Sequence, residues 1–116
     1  RLVNTNWSEC LKDNSFDIIV CNPPYIANNH IKNLHREVKN FEPLKALKGG
    51  ASGLESFISL LPSARRVIKN NGLIIFEIGF DQAKIAKKAL EEKNFNVHKI
   101  VKDLSGIERI LIAKPN

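Results

Sequence analysis

Hydrophobic positions along this chain alternate between two periods. Phe16-Asp17-Ile18-Ile19-Val20-Cys21 and Leu73-Ile74-Ile75-Phe76-Glu77-Ile78-Gly79 are short, nearly continuous apolar runs rich in β-branched residues, the pattern of strands buried in a sheet. Between them Leu54, Phe57, Ile58, Leu61 and Ile68 recur at helical spacing and predict a helix that runs to about Asn70-Asn71-Gly72, where the glycine supplies the stop. Pro62 lies inside that helix, so a bend is expected, at a cost of ~3 kcal/mol if nothing compensates. Asp81 is placed to cap a further helix with Ala83, Ala86, Ala89 and Leu90 inward and lysines and glutamates outward, ending near Asn94. Residues 97–102 and 107–113 are two more strands. The four residues 103–106 between them are too few for anything but an antiparallel pair.

The remaining stretches read less regularly. Leu2-Val3 look like the end of a strand, and residues 12–15 are a polar surface connection. Residues 27–40 carry Ile31, Leu34 and Val38 at helical spacing, and residues 41–53 form a loop with Pro43 and three glycines. Gly49-Gly50-Ala51-Ser52-Gly53 fails as a phosphate cradle, because it lacks both the dinucleotide spacing and a P-loop lysine. Ser52 and Glu55 instead fit a capping box for the helix that follows. The patterns give an α/β fold with an antiparallel end.

The chemistry concentrates where the first apolar strand stops, at Asn22-Pro23-Pro24-Tyr25. Two prolines fix two φ values and remove two N–H donors, so the carbonyls of this turn are left free to accept. The Asn22 side-chain oxygen and the Pro23 carbonyl then make a pair of acceptors suited to the two hydrogens of a planar –NH2 group. Such a nitrogen is a poor nucleophile because its lone pair is delocalised. Fixed acceptors favour the pyramidal, partly positive form that develops during attack, and Tyr25 can cover the flat group and exclude water. Glu77, near the end of the second strand, is either a site residue or a carboxylate bonded to nearby donors.

Composition excludes several classes. With 116 residues, 43% hydrophobic and 26% charged, the chain is ordinary globular material of one domain at most. No apolar run approaches the ~20 residues needed to cross a bilayer, so a cytoplasmic location without membrane contact is expected. Cys10 and Cys21 have no zinc spacing, and His30, His35 and His98 are scattered, so no metal is assigned. The net charge of +6 agrees with an RNA-rich or ribosomal neighbourhood and equally with a solvated basic surface.

Asn-Pro-Pro-Tyr after an apolar strand resembles motif IV of the S-adenosylmethionine-dependent amino-methyltransferases. Asn22-Pro23-Pro24-Tyr25-Ile26, Glu37-Val38, Glu42-Pro43, Ala46-Leu47, Gly49-Gly50, Gly53-Leu54, Glu77-Ile78-Gly79, Lys102-Asp103-Leu104-Ser105-Gly106 and Glu108-Arg109 together resemble the release-factor glutamine methyltransferases, the HemK/PrmC family. That resemblance implies the second half of a Rossmann-like methyltransferase fold. Residues 1–116 would be the C-terminal part of the catalytic domain, without the Gly-rich cofactor loop and the N-terminal helical domain. It also implies S-adenosylmethionine as cofactor, peptide chain release factors as protein substrate, and methylation of a glutamine side-chain amide in translation termination.

Asn22, Pro23, Pro24 and Tyr25 would then be the catalytic turn, and Trp7, with Asn22, would bind the cofactor. Asn6 stands where the family usually has an aspartate, keeping an acceptor but losing a charge. Isolated, such a fragment is expected to bind cofactor poorly. It is also expected to self-associate through the open edge of Ile18-Ile19-Val20. Two other readings remain: a nucleic-acid amino-methyltransferase acting on a captured base, and a non-catalytic α/β binding fragment.

Overall fold

The computed structural model describes residues 2–27, 43 and 47–116. Its elements are β1 (Phe16–Cys21), β2 (Ile26–Ala27), β3 (Lys48–Gly50), α1 (Glu55–Val67), β4 (Ile68–Glu77), α2 (Ala83–Glu92), β5 (Phe95–Lys102) and β6 (Glu108–Pro115). A four-stranded sheet has the order β1-β4-β6-β5, and β2 pairs with β3 in a separate two-stranded ribbon. β1 runs parallel to β4, with Cys21 opposite Phe76, whereas β6 lies antiparallel to both β4 and β5.

One face of this sheet carries the core. Ile74, Phe76, Ile78, Leu111, Ala113 and Phe95 are buried against α1 and α2, with Ile19 and Cys21 of β1 packed on the cluster. α1 buries Phe57, Leu60, Leu61, Ala64 and Val67, the i, i+3, i+4, i+7 stripe of an amphipathic helix. The Phe57 and Phe76 rings meet edge to face, 4.8 Å between centroids. α2 buries the small residues Ala83, Ala86 and Ala89 beside Leu90, and it ends where Asn94 adopts a left-handed φ of 61°. β1 is buried on one face only: as the outer strand it leaves Ile18 57% and Val20 74% exposed.

Several sequence expectations change. The first long helix stops at Val67, not near Gly72, and residues 68–72 already belong to β4. The physical reason is tertiary: the carbonyls of Arg66 and Val67 accept from the N–H groups of Asn14 and Ser15, so the preceding loop ends the helix from outside. That helix continues through Pro62, and Ile58, assigned to its apolar face, is exposed. Leu2-Val3 are not in a strand. The loop assigned to 41–53 contains a strand at Lys48–Gly50, and the helix assigned to 27–40 begins instead with Ala27 in β2, its residues 28–40 lying outside the described region. Asp81 does not cap α2; Gln82 holds that position.

The capping box is present in modified form. The Ser52 N–H donates to Glu55 Oε1 at 2.9 Å, while Ser52 Oγ accepts from the N–H of Leu54 at 3.3 Å. These bonds, Ser52 N–H first, hold the Glu55 carboxyl below its usual range. The β5–β6 turn is built on Asp103, whose Oδ1 accepts from the N–H groups of Ser105 and Ile107, with Gly106 at a φ of 79°.

Candidate active site

The turn 22–25 leaves the sheet at the carboxyl end of β1, beside the end of β4, because Pro23 and Pro24 offer no N–H to extend the ladder. Asn22 is exposed, Pro23 is fully buried, and Pro24 and Tyr25 are half-buried. Among the described residues, no hydrogen bond takes up the Asn22 side chain or the Pro23 carbonyl. The two acceptors singled out in the sequence stand unpaired there.

Tyr25 is held at both ends. Its hydroxyl donates to Glu77 Oε1 at 3.2 Å, and its carbonyl accepts from Gln82 Nε2 at 2.9 Å. Burial, then the Glu77 charge and the hydrogen bond to it, push the phenol above its ordinary range, with the Arg109 guanidinium acting in the opposite direction. The ring therefore stays a neutral donor near pH 7. Glu77 has a positioning role here: it orients the tyrosine.

Arg109, on β6, donates through Nε to Asp103 Oδ2 at 3.1 Å. Asp103 is held below the usual carboxylate range first by the Ile107 N–H, then by Arg109 and the Ser105 N–H. Tyr25, Ser52, Phe80, Gln82 and Arg109 all contribute to the wall of one cavity of ≈ 520 Å³. A single exposed aromatic, Phe80, belongs to that wall.

Trp7 lies elsewhere, over the outer side of β1. It has a left-handed φ of 51° and lines a cavity of ≈ 320 Å³ with Ile18, Val20 and Cys21 of β1 and Leu60 and Ala64 of α1. An indole among apolar walls fits a flat heterocycle such as the adenine of a nucleoside cofactor. That cavity reaches Cys21 but not its neighbour Asn22, so the two cofactor candidates share no wall. Asn6 does not line it; its Nδ2 donates to Glu9 Oε1 at 2.8 Å and stitches the local turn.

The Cys21 thiol is pushed up to about 11 by burial, which makes it an inert core group. Both cysteines are unpaired. Among the described residues there is no cluster of His, Cys, Asp and Glu able to hold a metal, and no helix long and apolar enough to cross a membrane.

Sequence reasoning missed Gln82. Its side chain is only 6% exposed and joins Tyr25, Gly53 and Gly79. A faint signal existed in the glycines at 53 and 79, which leave room beside it. Arg109 appeared among the family-like letters without a role.

No family model matches the chain. It is 42% identical over 103 residues to a release factor glutamine methyltransferase of Thermodesulfovibrio yellowstonii, covering 89% of this chain and 37% of that protein. A Caulobacter vibrioides protein of the same name is 37% identical over 115 residues, covering 99% of this chain and 40% of the relative. A bifunctional methyltransferase of Rickettsia conorii is 34% identical, with 22% of its length covered. The chain thus spans well under half of the curated relatives it matches.

Among solved structures, the ribosomal protein L11 methylase of Lactobacillus delbrueckii subsp. bulgaricus superposes with a TM-score of 0.61 at 19% identity, over 97% of this chain and 42% of the other. That likeness establishes the α/β methyltransferase fold. In sequence, and with the Asn-Pro-Pro-Tyr turn at the carboxyl end of β1, the chain is similar to a part of the release factor glutamine methyltransferases, and its fold is that of an α/β methyltransferase.

Proposed function

We propose that the polypeptide carrying these residues transfers a methyl group from S-adenosylmethionine to the side-chain amide nitrogen of a glutamine in a peptide chain release factor. Residues 1–116 are assigned to the C-terminal part of its catalytic domain, with the Gly-rich cofactor loop and a helical substrate-docking domain outside them. The observation that carries the reading is a pair of acceptors, Asn22 and the Pro23 carbonyl, that have no hydrogen-bond partner among the described residues and stand next to a tyrosine fixed by Glu77 and Gln82. The names that the relatives carry support the substrate.

In this mechanism Asn22 Oδ1 and the Pro23 oxygen accept the two amide hydrogens and hold the nitrogen as it gains positive charge. Pro24 keeps those oxygens at a fixed separation, and the neutral Tyr25 ring covers the amide plane. Trp7, with Asn22, would hold the cofactor, which when bound supplies an electrophilic methyl group. The proton lost by the nitrogen leaves to solvent, because no group in the turn is tuned as a base. A release factor substrate places the reaction in the cytoplasm.

Mass spectrometry of release factors from cells whose own gene carries Asn22→Ala tests this. Loss of one preorganised partner is expected to slow transfer roughly 10²–10³-fold, so the methylated glutamine should disappear. An unchanged methylated fraction overturns the role, and methyl groups appearing on RNA instead transfer the site to nucleic-acid chemistry.

A further inference from the structure

We infer that Gln82 is a positioning residue for the turn 22–25: its buried amide fixes where the turn's acceptors stand by tying Tyr25 to the glycine loop and to the end of β4. The inference deepens the methyl-transfer reading, and its catalytic arm rests on that reading.

Gln82 is the one buried polar side chain recorded among the described residues. Its Nε2 donates to the Tyr25 carbonyl at 2.9 Å and to the Gly53 carbonyl at 3.2 Å, and its Oε1 accepts from the Gly79 N–H at 2.8 Å. The amide thus joins partners 57, 29 and 3 residues away. It occupies the N-cap of α2 but makes no side-chain cap bond to that helix. A cap residue that leaves its own helix unserved and bridges three other segments is placed for those segments.

Two glycines leave the space this needs. A Cβ at Gly53 would lie 2.5 Å from the Tyr25 oxygen and 2.8 Å from Gln82 Nε2, and one at Gly79 would lie 2.9 Å from Gln82 Oε1. Tyr25 precedes β2 and Gly53 follows β3, so the amide joins the two segments that flank this parallel ribbon. Because Pro24 is stiff, a shift of the Tyr25 carbonyl is passed on to the Pro23 carbonyl, and it swings the ring relative to Glu77.

The chain holds one tyrosine, so its ionisation, followed by tyrosinate absorbance, reports that ring alone. Gln82→Leu is neutral and of similar size, but it leaves the Tyr25 and Gly53 carbonyls and the Gly79 N–H without the partner they share. Gly79→Ala leaves Gln82 in place and displaces its amide from behind. Both variants are expected to move Tyr25 ionisation down toward that of an ordinary phenol, as the ring leaves Glu77. In cells, release-factor glutamine methylation is expected to fall about a hundredfold in rate, the loss that ~1 Å of misplacement produces.

Folded variants, shown by far-ultraviolet circular dichroism, with unchanged Tyr25 ionisation overturn the inference. Should one variant fail to fold, the other decides. If wild-type cells carry no methylated glutamine on release factors, the proposed function falls while the tyrosine titration still judges Gln82.

Discussion

Arg66 offers the sharpest test of how Trp7 is held. From the last turn of α1 its guanidinium donates to the carbonyls of Leu11 and Ser8, both at 2.8 Å, more weakly to Glu9 at 3.4 Å, and to the Asp13 carboxylate. A hydrogen bond to a charged donor contributes about 1.5–3 kcal/mol when well buried. Arg66 is 35% exposed, so about 1 kcal/mol for each of the two short carbonyl bonds is reasonable, and the long one is neglected. Asp13 is 69% exposed, and its ion pair is worth about 0–1 kcal/mol. The carbonyl bonds therefore dominate. Arg66→Ala is expected to cost about 2 kcal/mol, a fall of roughly 8 °C in melting temperature for this chain length. Asp13→Asn should cost about 0.5 kcal/mol, most of it removed by salt.

The single tryptophan makes the local effect visible. Emission should shift to the red in Arg66→Ala as Trp7 leaves its cavity, and Arg66→Lys should rescue little, since an ammonium cannot span the same acceptors. Equal losses for Asp13→Asn and Arg66→Ala, or an unmoved emission maximum in the latter, would refute the reasoning.

Other consequences are as testable. Glu77→Gln removes the charge that helps raise Tyr25, so its ionisation should drop but stay above the ordinary phenol value, because burial is the larger cause. The sign for stability follows: a phenol raised in the fold leaves stability intact below its unfolded pKa and erodes it as pH climbs through the folded value. Urea melts across alkaline pH should show that slope, reduced in Glu77→Gln. Gly53→Ala places a side chain at a φ of 84° and against the Tyr25 carbonyl, and should cost about 2–4 kcal/mol by calorimetry. Val20→Lys, at a position 74% exposed on the outer strand, should change stability by less than about 0.5 kcal/mol while weakening self-association in sedimentation. A monodisperse wild-type chain would argue against that edge as a sticking surface.

The sequence made the corner at Asn22–Tyr25 readable because its cause is local. Two prolines behind a β-branched run stop a strand wherever the rest of the chain goes, and the short polar link at 103–106 allowed only a hairpin. The end of α1 was not readable in that way. Ile68 keeps helical spacing with Leu61, and the groups that turn it into a strand residue are the N–H donors of Asn14 and Ser15, more than fifty positions earlier. Gln82 was hidden for the same reason, since its chemistry depends on carbonyls brought near only by the fold. Trp7 was visible as an aromatic in a polar stretch, but which strand and helix it would cover was not.

β6 is wedged between β4 and β5, yet it is the last of these strands in the chain. A nascent polypeptide emerging from the ribosome exposes β1 and β4 early but must wait for residues 108–115 before β4 gains its second neighbour. Until then the strand bearing Glu77 has a bare flank, and Arg109 has not yet arrived. The geometry around Tyr25 therefore waits on the last strand of this sheet, and the interval before it is when chaperone attention would matter most.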